Sequence, residues 1–441
     1  MLASTAKPMR EAPRRRVLML AYFFPPLGGG GVQRALKHVK YLPDEGFDPI
    51  VLTTRLGWSP MRDATLGDEV RPETVVIRAP ELPLQLVKWG LGGALRRAGL
   101  RSRLASYVGW PDEMAGWVPG ATWHALRAVR RYRPDVLYST LSPASAHLVA
   151  LTVSRATGIP WVADFRDAWN SNPQGEQLAR PFAALSARLE RAMVRRASYL
   201  VVVDESVELL DVDPDDPRLV VIRNGVDPED VLPVSARPRG SRFRISYVGT
   251  LYGARNAAPV FAALRALLDR GVIDEGHLEL RIVGPAALDA DVNLKRLPVS
   301  RMGYVDHAAA ISEMAAADVL LFYAPTVNRG PSGKIYEYLV SGRPILCVAG
   351  SDNFAFQLVQ DLGAGHCAQP GDLATIEDAI ERMYLSWKDG KLDISPEVRA
   401  ETLRRFSRPA LARALAAVLD AAAAERDTTR RSATGARAPA G

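Results

Sequence analysis

The chain has 441 residues, 48% of them hydrophobic and 24% charged, which excludes a largely disordered or collagen-like protein and makes two or more domains the expectation. Two cysteines, Cys347 and Cys367, are too few for a disulfide scaffold or a zinc site, which fits a reducing cytoplasm. The net charge of +7 sits at the ends: residues 1–16 carry +4, residues 425–441 carry +2, and the body carries +1, which is no nucleic-acid footprint.

No apolar run is long enough to span a bilayer. Arg14, Arg15 and Arg16 precede the apolar Val17–Phe24 in the manner of a signal peptide. That run ends in Pro25-Pro26 and a glycine run without a small-residue cleavage site, so secretion is not expected. In chain order, Val17–Tyr22, Pro49–Thr53, Val136–Ser139, Trp161–Phe165 and Tyr199–Val203 read as buried strands, with helical patterns such as Val32–Leu42, Ala144–Ala156 and Pro181–Arg196 between them. The second half restarts the same alternation at Phe243–Val248, Leu278–Val283, Val319–Tyr323 and Pro344–Val348. Strands alternating with helices predict two doubly wound α/β domains. Asn224-Gly225-Val226-Asp227 and the Pro-rich stretch Pro228–Pro238 mark the boundary between them. The expected organisation is therefore 1–225 (with 1–15 flexible) and 226–405, then a helix over 406–424 with Ser407 as N-cap, and a disordered tail over 425–441.

Three motifs carry chemistry. In Tyr22-Phe-Phe-Pro-Pro-Leu-Gly28-Gly-Gly30-Gly31-Val-Gln33-Arg34 a buried strand runs through a glycine loop into a helix, presenting bare backbone amides to an anion or a sugar. A dinucleotide site would need a third glycine and an acidic residue about 20 positions on; here Gln33 or Arg34 takes the glycine's place and the second strand ends in Thr53-Thr54-Arg55. In Gly330-Pro-Ser332-Gly333-Lys334-Ile-Tyr-Glu337-Tyr-Leu, Ser332 reads as an N-cap with Lys334 in the first turn, where a bound anion would share its charge with the helix amides. Glu337 follows on roughly the same face and could accept bonds from two vicinal hydroxyls, such as those of a ribose. In Asp164-Phe-Arg166-Asp167, three charges crowd the carboxyl end of a strand, the usual place for ligand contacts in open α/β sheets. The bland alternative is that Asp164 simply pairs with Arg166. The acidic turn Asp211–Asp216 lacks the Gly and Glu of a calcium loop, and His124 and His147 read as ordinary helix residues, so no metal is expected.

Together these motifs resemble the GT-B glycosyltransferases of family 4, also called group 1 glycosyltransferases. The resemblance covers nearly the whole chain, from the Phe-Pro-Pro…Gly-Gly-Val-Gln opening through Asp164-Phe-Arg-Asp167, Asn224-Gly-Val-Asp227 and Val248-Gly-Thr-Leu-Tyr252 to Lys334-Ile-Tyr-Glu-Tyr-Leu…Ser-Gly-Arg-Pro-Ile345. It implies two Rossmann-like domains facing a central cleft, with the last helix crossing back onto the first. It also implies transfer of a sugar from a nucleotide-sugar to a glycan or lipid-linked acceptor in surface polysaccharide or glycoconjugate biosynthesis. The reaction would retain anomeric configuration, with no metal and no cofactor beyond the co-substrate.

By the same resemblance Lys334 and Arg166 are catalytic candidates, and Asp167, from the charges at the strand end, joins them as a group that could orient the acceptor. Donor-binding candidates are Gly30, Gly31 and Gln33 in the first half and Gly249, Thr250, Arg255, Gly284, Tyr304, Ser332, Gly333 and Glu337 in the second. Arg166 stands where many relatives carry a histidine. Two positions depart from the family pattern: Arg329 replaces its first glutamate, a trait shared by relatives with the Lys-Ile-Tyr-Glu form, and Thr250 replaces its loop arginine. A non-catalytic sugar-nucleotide-binding subunit and a GT-B-type nucleotide-sugar epimerase are the alternatives. Leu82–Pro111 has five basic residues, no acid, and Trp89, Tyr107 and Trp110 among many apolar side chains. That composition is expected to hold a cytoplasmic enzyme on the inner face of an anionic membrane.

Overall fold

A computed structural model describes residues 14–55, 57, 61–84, 110–171, 180–232, 240–251, 257–286, 297–324 and 333–435. The chain divides into two compact units, one formed by Met1–Val202, Glu208–Val220 and Ala412–Gly441, the other by Val203–Val207 and Val221–Leu411.

In the first unit the strands are β1 (Arg15–Leu20), β2 (Phe47–Thr54), β3 (Val75–Ala79), β4 (Val136–Leu141), β5 (Trp161–Phe165), β6 (Tyr199–Val202) and β7 (Leu219–Val221). They form one sheet in the order β3-β2-β1-β4-β5-β6-β7, and the pairings from β3 to β6 are parallel. Helices α1 (Gly30–Tyr41), α2 (Val118–Tyr132), α3 (Ala144–Thr157) and α4 (Arg180–Arg196) belong to this unit. A parallel strand is covered on both faces, so the central strands read as nearly unbroken apolar runs. Accordingly β4 and β5 are buried throughout and β1 is buried from Val17 onward.

The second unit repeats this order. Strands β8 (Phe243–Val248), β9 (Leu278–Val283), β10 (Val299–Met302), β11 (Val319–Tyr323), β12 (Ile345–Val348) and β13 (Gly365–Ala368) form a parallel sheet, β10-β9-β8-β11-β12-β13. Its two faces carry separate apolar cores. Ile245, Tyr247 and Leu346 pack with α5 (Ala258–Asp269) and α9 (Leu373–Lys388). Leu320, Ile345 and Cys347 pack with α7 (Lys334–Val340), α8 (Phe354–Asp361) and α10 (Pro396–Phe406), and α6 (His307–Ala316) closes the same face through Met314. Alternation along each strand sends neighbouring residues to opposite cores, which makes this a doubly wound sheet.

The last helix, α11 (Arg408–Gly435), is longer than the sequence suggested and continues into the stretch expected to be a disordered tail. Its alanine-rich composition favours extension, since alanine loses the least on entering a helix. It begins in the second unit and ends in the first. Within the first unit Arg15 Nη1 binds both the carbonyl and the carboxylate of Asp420, each at 3.0 Å.

Candidate active site

Both sheets reverse winding direction between two central strands, β1 and β4 in one unit and β8 and β11 in the other. Loops leaving the carboxyl ends of such strands diverge and leave room for a ligand. Most of the described candidate residues lie on these loops or in the first turn of the helices that they enter.

In the first unit the chain leaves β1 through Tyr22–Gly29 and enters α1 at Gly30. Gly30 is exposed, and a Cβ built there would meet nothing within 4 Å; Gly31 and Gln33 are half-buried. Arg166 holds this loop in place. Its Nη1 donates to Gly31 O at 2.8 Å, its Nε to Leu141 O at 2.9 Å and its Nη2 to Ser142 O at 2.9 Å. One guanidinium thus ties together the ends of β4, β5 and the glycine loop, with all three nitrogens aimed at backbone carbonyls. Asp167 is exposed.

Asp164 does not pair with Arg166. Successive strand residues point to opposite faces, but that parity alone left the partner open. The partner comes from α1: Arg34 Nε and Nη2 clasp the two carboxylate oxygens at 2.7 and 2.9 Å, and the Tyr138 hydroxyl donates to the same carboxylate. All three side chains are fully buried or nearly so. Burial pushes the Asp164 carboxyl up, yet the charge and hydrogen bonds of Arg34 outweigh it and hold the group below its usual range. Nearby, His147 Nδ1 meets Ser139 Oγ at 2.8 Å, and burial depresses the imidazole to a pKa of about 3, so it is neutral at physiological pH. Sequence reasoning missed Arg34 and Tyr138. The available signal was a basic residue, Arg34, flanked by the apolar Val32, Ala35 and Leu36 of one amphipathic helix.

In the second unit, β8 ends at Val248 and the next residue, Gly249, has φ 146°. A Cβ there would collide with Lys334 Nζ and lie 2.5 Å from its Cε, so the lysine side chain rests directly on the bare Gly249 backbone. Gly284, at the end of β9 with φ 119°, approaches so closely that a Cβ on it would run into the Gly249 carbonyl. The Lys334 ammonium also stands 5.5 Å from the Tyr247 ring centroid. One turn along α7 from Lys334, the Tyr338 hydroxyl accepts from Val248 N at 2.9 Å and donates to Val248 O at 3.3 Å. Helix α7 is thereby pinned to the end of β8, which fixes where Lys334 can reach.

Lys334, Gly249 and Gly284 are therefore brought together. Thr250 and Tyr304 are exposed on the adjoining loops, and the Gly303 carbonyl accepts from Gly284 N at 3.1 Å. The N-cap of α7 is Gly333, with no side-chain cap, and not Ser332 as expected. Ser332, Arg255 and Arg329 lie outside the described residues. Glu337 is half-buried and lines a cavity of about 20 Å³ with Asp230, Ser341 and Arg343, room for a water but not for a ribose. A ribose would have to meet Glu337 on its remaining exposed side. Burial raises the carboxyl pKa against the pull of His307, Lys334 and Arg408, and Asp230 adds to the rise. Among the described residues no group of His, Cys, Asp and Glu is arranged to hold a metal ion.

Two family profiles divide the chain between them: Glycosyltransferase Family 4 matches residues 28–230, and Glycosyl transferases group 1 matches residues 242–386. The chain is a family 4, group 1 glycosyltransferase. The glycogen synthase of Mycobacterium tuberculosis is 26% identical over 269 residues, covering 57% of this glycosyltransferase and 58% of that protein. The alignment thus spans well under two thirds of the curated relative. Among solved structures, the sucrose-phosphate synthase of Thermosynechococcus elongatus aligns with a TM-score of 0.62 at 13% identity, covering 96% of this chain and 100% of that one. Anabaena HepE in complex with UDP aligns with a TM-score of 0.59 at 15% identity, covering 92% and 100%. The α,α-trehalose-phosphate synthase of Burkholderia xenovorans in complex with glucose-6-phosphate aligns at 0.61 and 13%, covering 92% and 100%. These likenesses establish the GT-B fold of the glycosyltransferase.

Proposed function

We propose that the enzyme transfers a sugar from a nucleotide-sugar donor to a glycan or lipid-linked acceptor in surface polysaccharide or glycoconjugate biosynthesis, with retention of configuration and without a metal ion. The observation that carries this reading is the Lys334 side chain lying on Gly249 beside Gly284. A cation over bare backbone, at the carboxyl edge of a doubly wound sheet, suits a diphosphate leaving group. As the glycosidic bond to the donor phosphate breaks, the anomeric carbon gains oxocarbenium character and negative charge grows on the diphosphate. Lys334 and the loop amides stabilise that charge, and they do so most strongly in the transition state. Glu337 accepts hydroxyls of the nucleotide ribose from its exposed side. The Gly30–Gly31 backbone and Gln33 meet the acceptor or the donor sugar, and Arg166 acts by holding that loop. For retention, the acceptor hydroxyl attacks from the leaving-group face and gives its proton to the departing phosphate.

No helix among the described residues is long and apolar enough to cross a membrane. The proposed location is cytoplasmic, at the inner face of the cell membrane, through Leu82–Pro111; residues 85–109 of that segment lie outside the described residues.

Mass spectrometry of the enzyme with a panel of nucleotide sugars, scored for binding, donor hydrolysis and transfer, tests the reading. Lys334→Ala is expected to lower kcat more than donor affinity. A folded wild type that binds a donor but never turns it over would indicate a non-catalytic subunit, and release of a free epimer would indicate an epimerase.

A further inference from the structure

The first unit carries a second feature, away from the glycine loop. Helix α2 holds Arg127, Arg130 and Arg131 and no acidic residue. Its outward face presents Trp123, Arg127, Arg130 and Arg131, all exposed, at the spacing that aligns residues along one side of a helix. Trp123 is 55% exposed, an unusual state for the largest side chain, and the Arg127 guanidinium lies 4.7 Å over its ring. Beside it runs a groove of about 450 Å³ toward the edge strand β3. Ile77, Ala128 and Tyr132 line this groove together with His124, Arg127, Arg130 and Arg131, and no acid lines it. The nearest acid in sequence, Asp135, is engaged by the Arg16 backbone amide at 2.8 Å.

We propose that this face of α2 docks on an anionic membrane, its arginines taking lipid phosphates into the groove while Trp123 enters the headgroup layer. Guanidinium groups pair with phosphate oxygens bidentately, and three converge on one concavity. The tryptophan decides between a lipid surface and an acidic polymer. An indole with an apolar body and a polar edge is placed best where hydrocarbon meets water, and a purely electrostatic contact would not need it. The helix also begins seven residues after Pro111, so the acid-free, aromatic Leu82–Pro111 segment leads into it. The inference rests on the membrane location proposed above and adds a contact separate from that segment.

The test is co-sedimentation of the full chain with vesicles of phosphatidylcholine alone or with phosphatidylglycerol, at low and high salt. Four proteins are compared: wild type, Trp123→Ala, the combined Arg127→Ala, Arg130→Ala and Arg131→Ala variant, and a variant with Glu at Arg96, Arg97, Arg101 and Arg103. The replaced α2 side chains are exposed and outside the catalytic loops, so folding and transfer to a soluble acceptor should match wild type. The triple-arginine variant should lose on the order of a hundredfold in partition to anionic vesicles at low salt. Trp123→Ala should lose several-fold at both salt concentrations. If the triple variant and Trp123→Ala bind like wild type while the 96–103 variant does not, this proposal fails and the membrane location stands. Failure of the wild type to bind anionic vesicles would overturn both. Normal vesicle binding combined with weakened retention on a polyanion column would assign the patch to an acidic polymer and overturn the lipid reading.

Discussion

Alanine at Gly249 would place a methyl group 2.5 Å from Lys334 Cε and 3.1 Å from Cδ, with a still closer collision at Nζ. Ordinary contact begins at 3.4 Å, so the Cε must retreat by about 1 Å and the ammonium further. The far end of a lysine can move, and the fold should survive. The backbone at φ 146° costs an L-residue on the order of 1–3 kcal/mol, measurable by urea or thermal unfolding. The larger effect should be on chemistry, since a displacement of about 1 Å at a reacting group costs about a hundredfold in rate. Lys334→Ala removes the charge outright and should cost roughly 10²–10³ in kcat, as loss of one donor to a developing anion does. The assay is a double-mutant cycle in kcat with saturating donor and acceptor. If Gly249 acts by placing Lys334, the double variant should be no slower than Lys334→Ala, and the Gly249→Ala effect should vanish in that background. The alanine should also lose its steric conflict there, so the double variant should be more stable than Gly249→Ala. Losses that multiply, or a Gly249→Ala enzyme with wild-type kcat, would refute the assignment of these two residues to one device.

Arg166→Ala should lower stability by about 1–3 kcal/mol, because three carbonyls lose a charged donor, and should slow transfer through displacement of Gly31. Arg166→Lys should recover little, since one ammonium cannot reach three divergent carbonyls; a fully active lysine variant would argue against the stapling role. Asp164→Ala should destabilise by roughly 3–5 kcal/mol by leaving Arg34 buried and unpaired, whereas Arg34→Met combined with Asp164→Leu should restore much of the loss in denaturant melts. Because the folded-state pKa of Asp164 is depressed, its stabilisation is complete above the unfolded value of about 3.9 and is lost as pH falls through the folded value. The wild type should therefore lose more stability than the Met/Leu double variant when acidified below about pH 4. Burial raises the Glu81 carboxyl against hydrogen bonds from Tyr22 and Thr54, so its ionisation opposes folding as pH rises past the unfolded value. Glu81→Gln should flatten the decline of stability between that pH and neutrality, and an unchanged pH profile would show that the carboxyl is ionised without cost.

The central strands were legible because burial on both faces leaves little choice of residue. Trp161–Phe165, Phe243–Val248, Leu278–Val283 and Val319–Tyr323 were read with the bounds that β5, β8, β9 and β11 have. Edge strands were not. Val75–Ala79, Val299–Met302 and Gly365–Ala368 are short, and each carries polar or small residues, because one side of an edge strand faces solvent and needs no apolar run. Their presence follows from hydrogen bonding to a neighbour and leaves a weak mark in composition.

Of the candidate site, local sequence could indicate the loops, since glycine runs and strand-end charges are local features, and it placed Lys334 in the first turn of its helix. It could not say which charges meet. Arg34 and Asp164 are 130 residues apart and find one another because the fold brings the α1 guanidinium to the carboxylate that Tyr138 of β4 also bonds. Lys334 reaches Gly249 across 85 positions because Tyr338, on the same face of α7, fastens that helix to Val248. Alternation of apolar runs and helical periods therefore determined two doubly wound sheets from sequence by itself. The tertiary structure decided that Arg166 binds three carbonyls and that Asp164 belongs to Arg34, because pairing of charges in a low-dielectric interior depends on distance in space, which the order of residues along the chain does not contain.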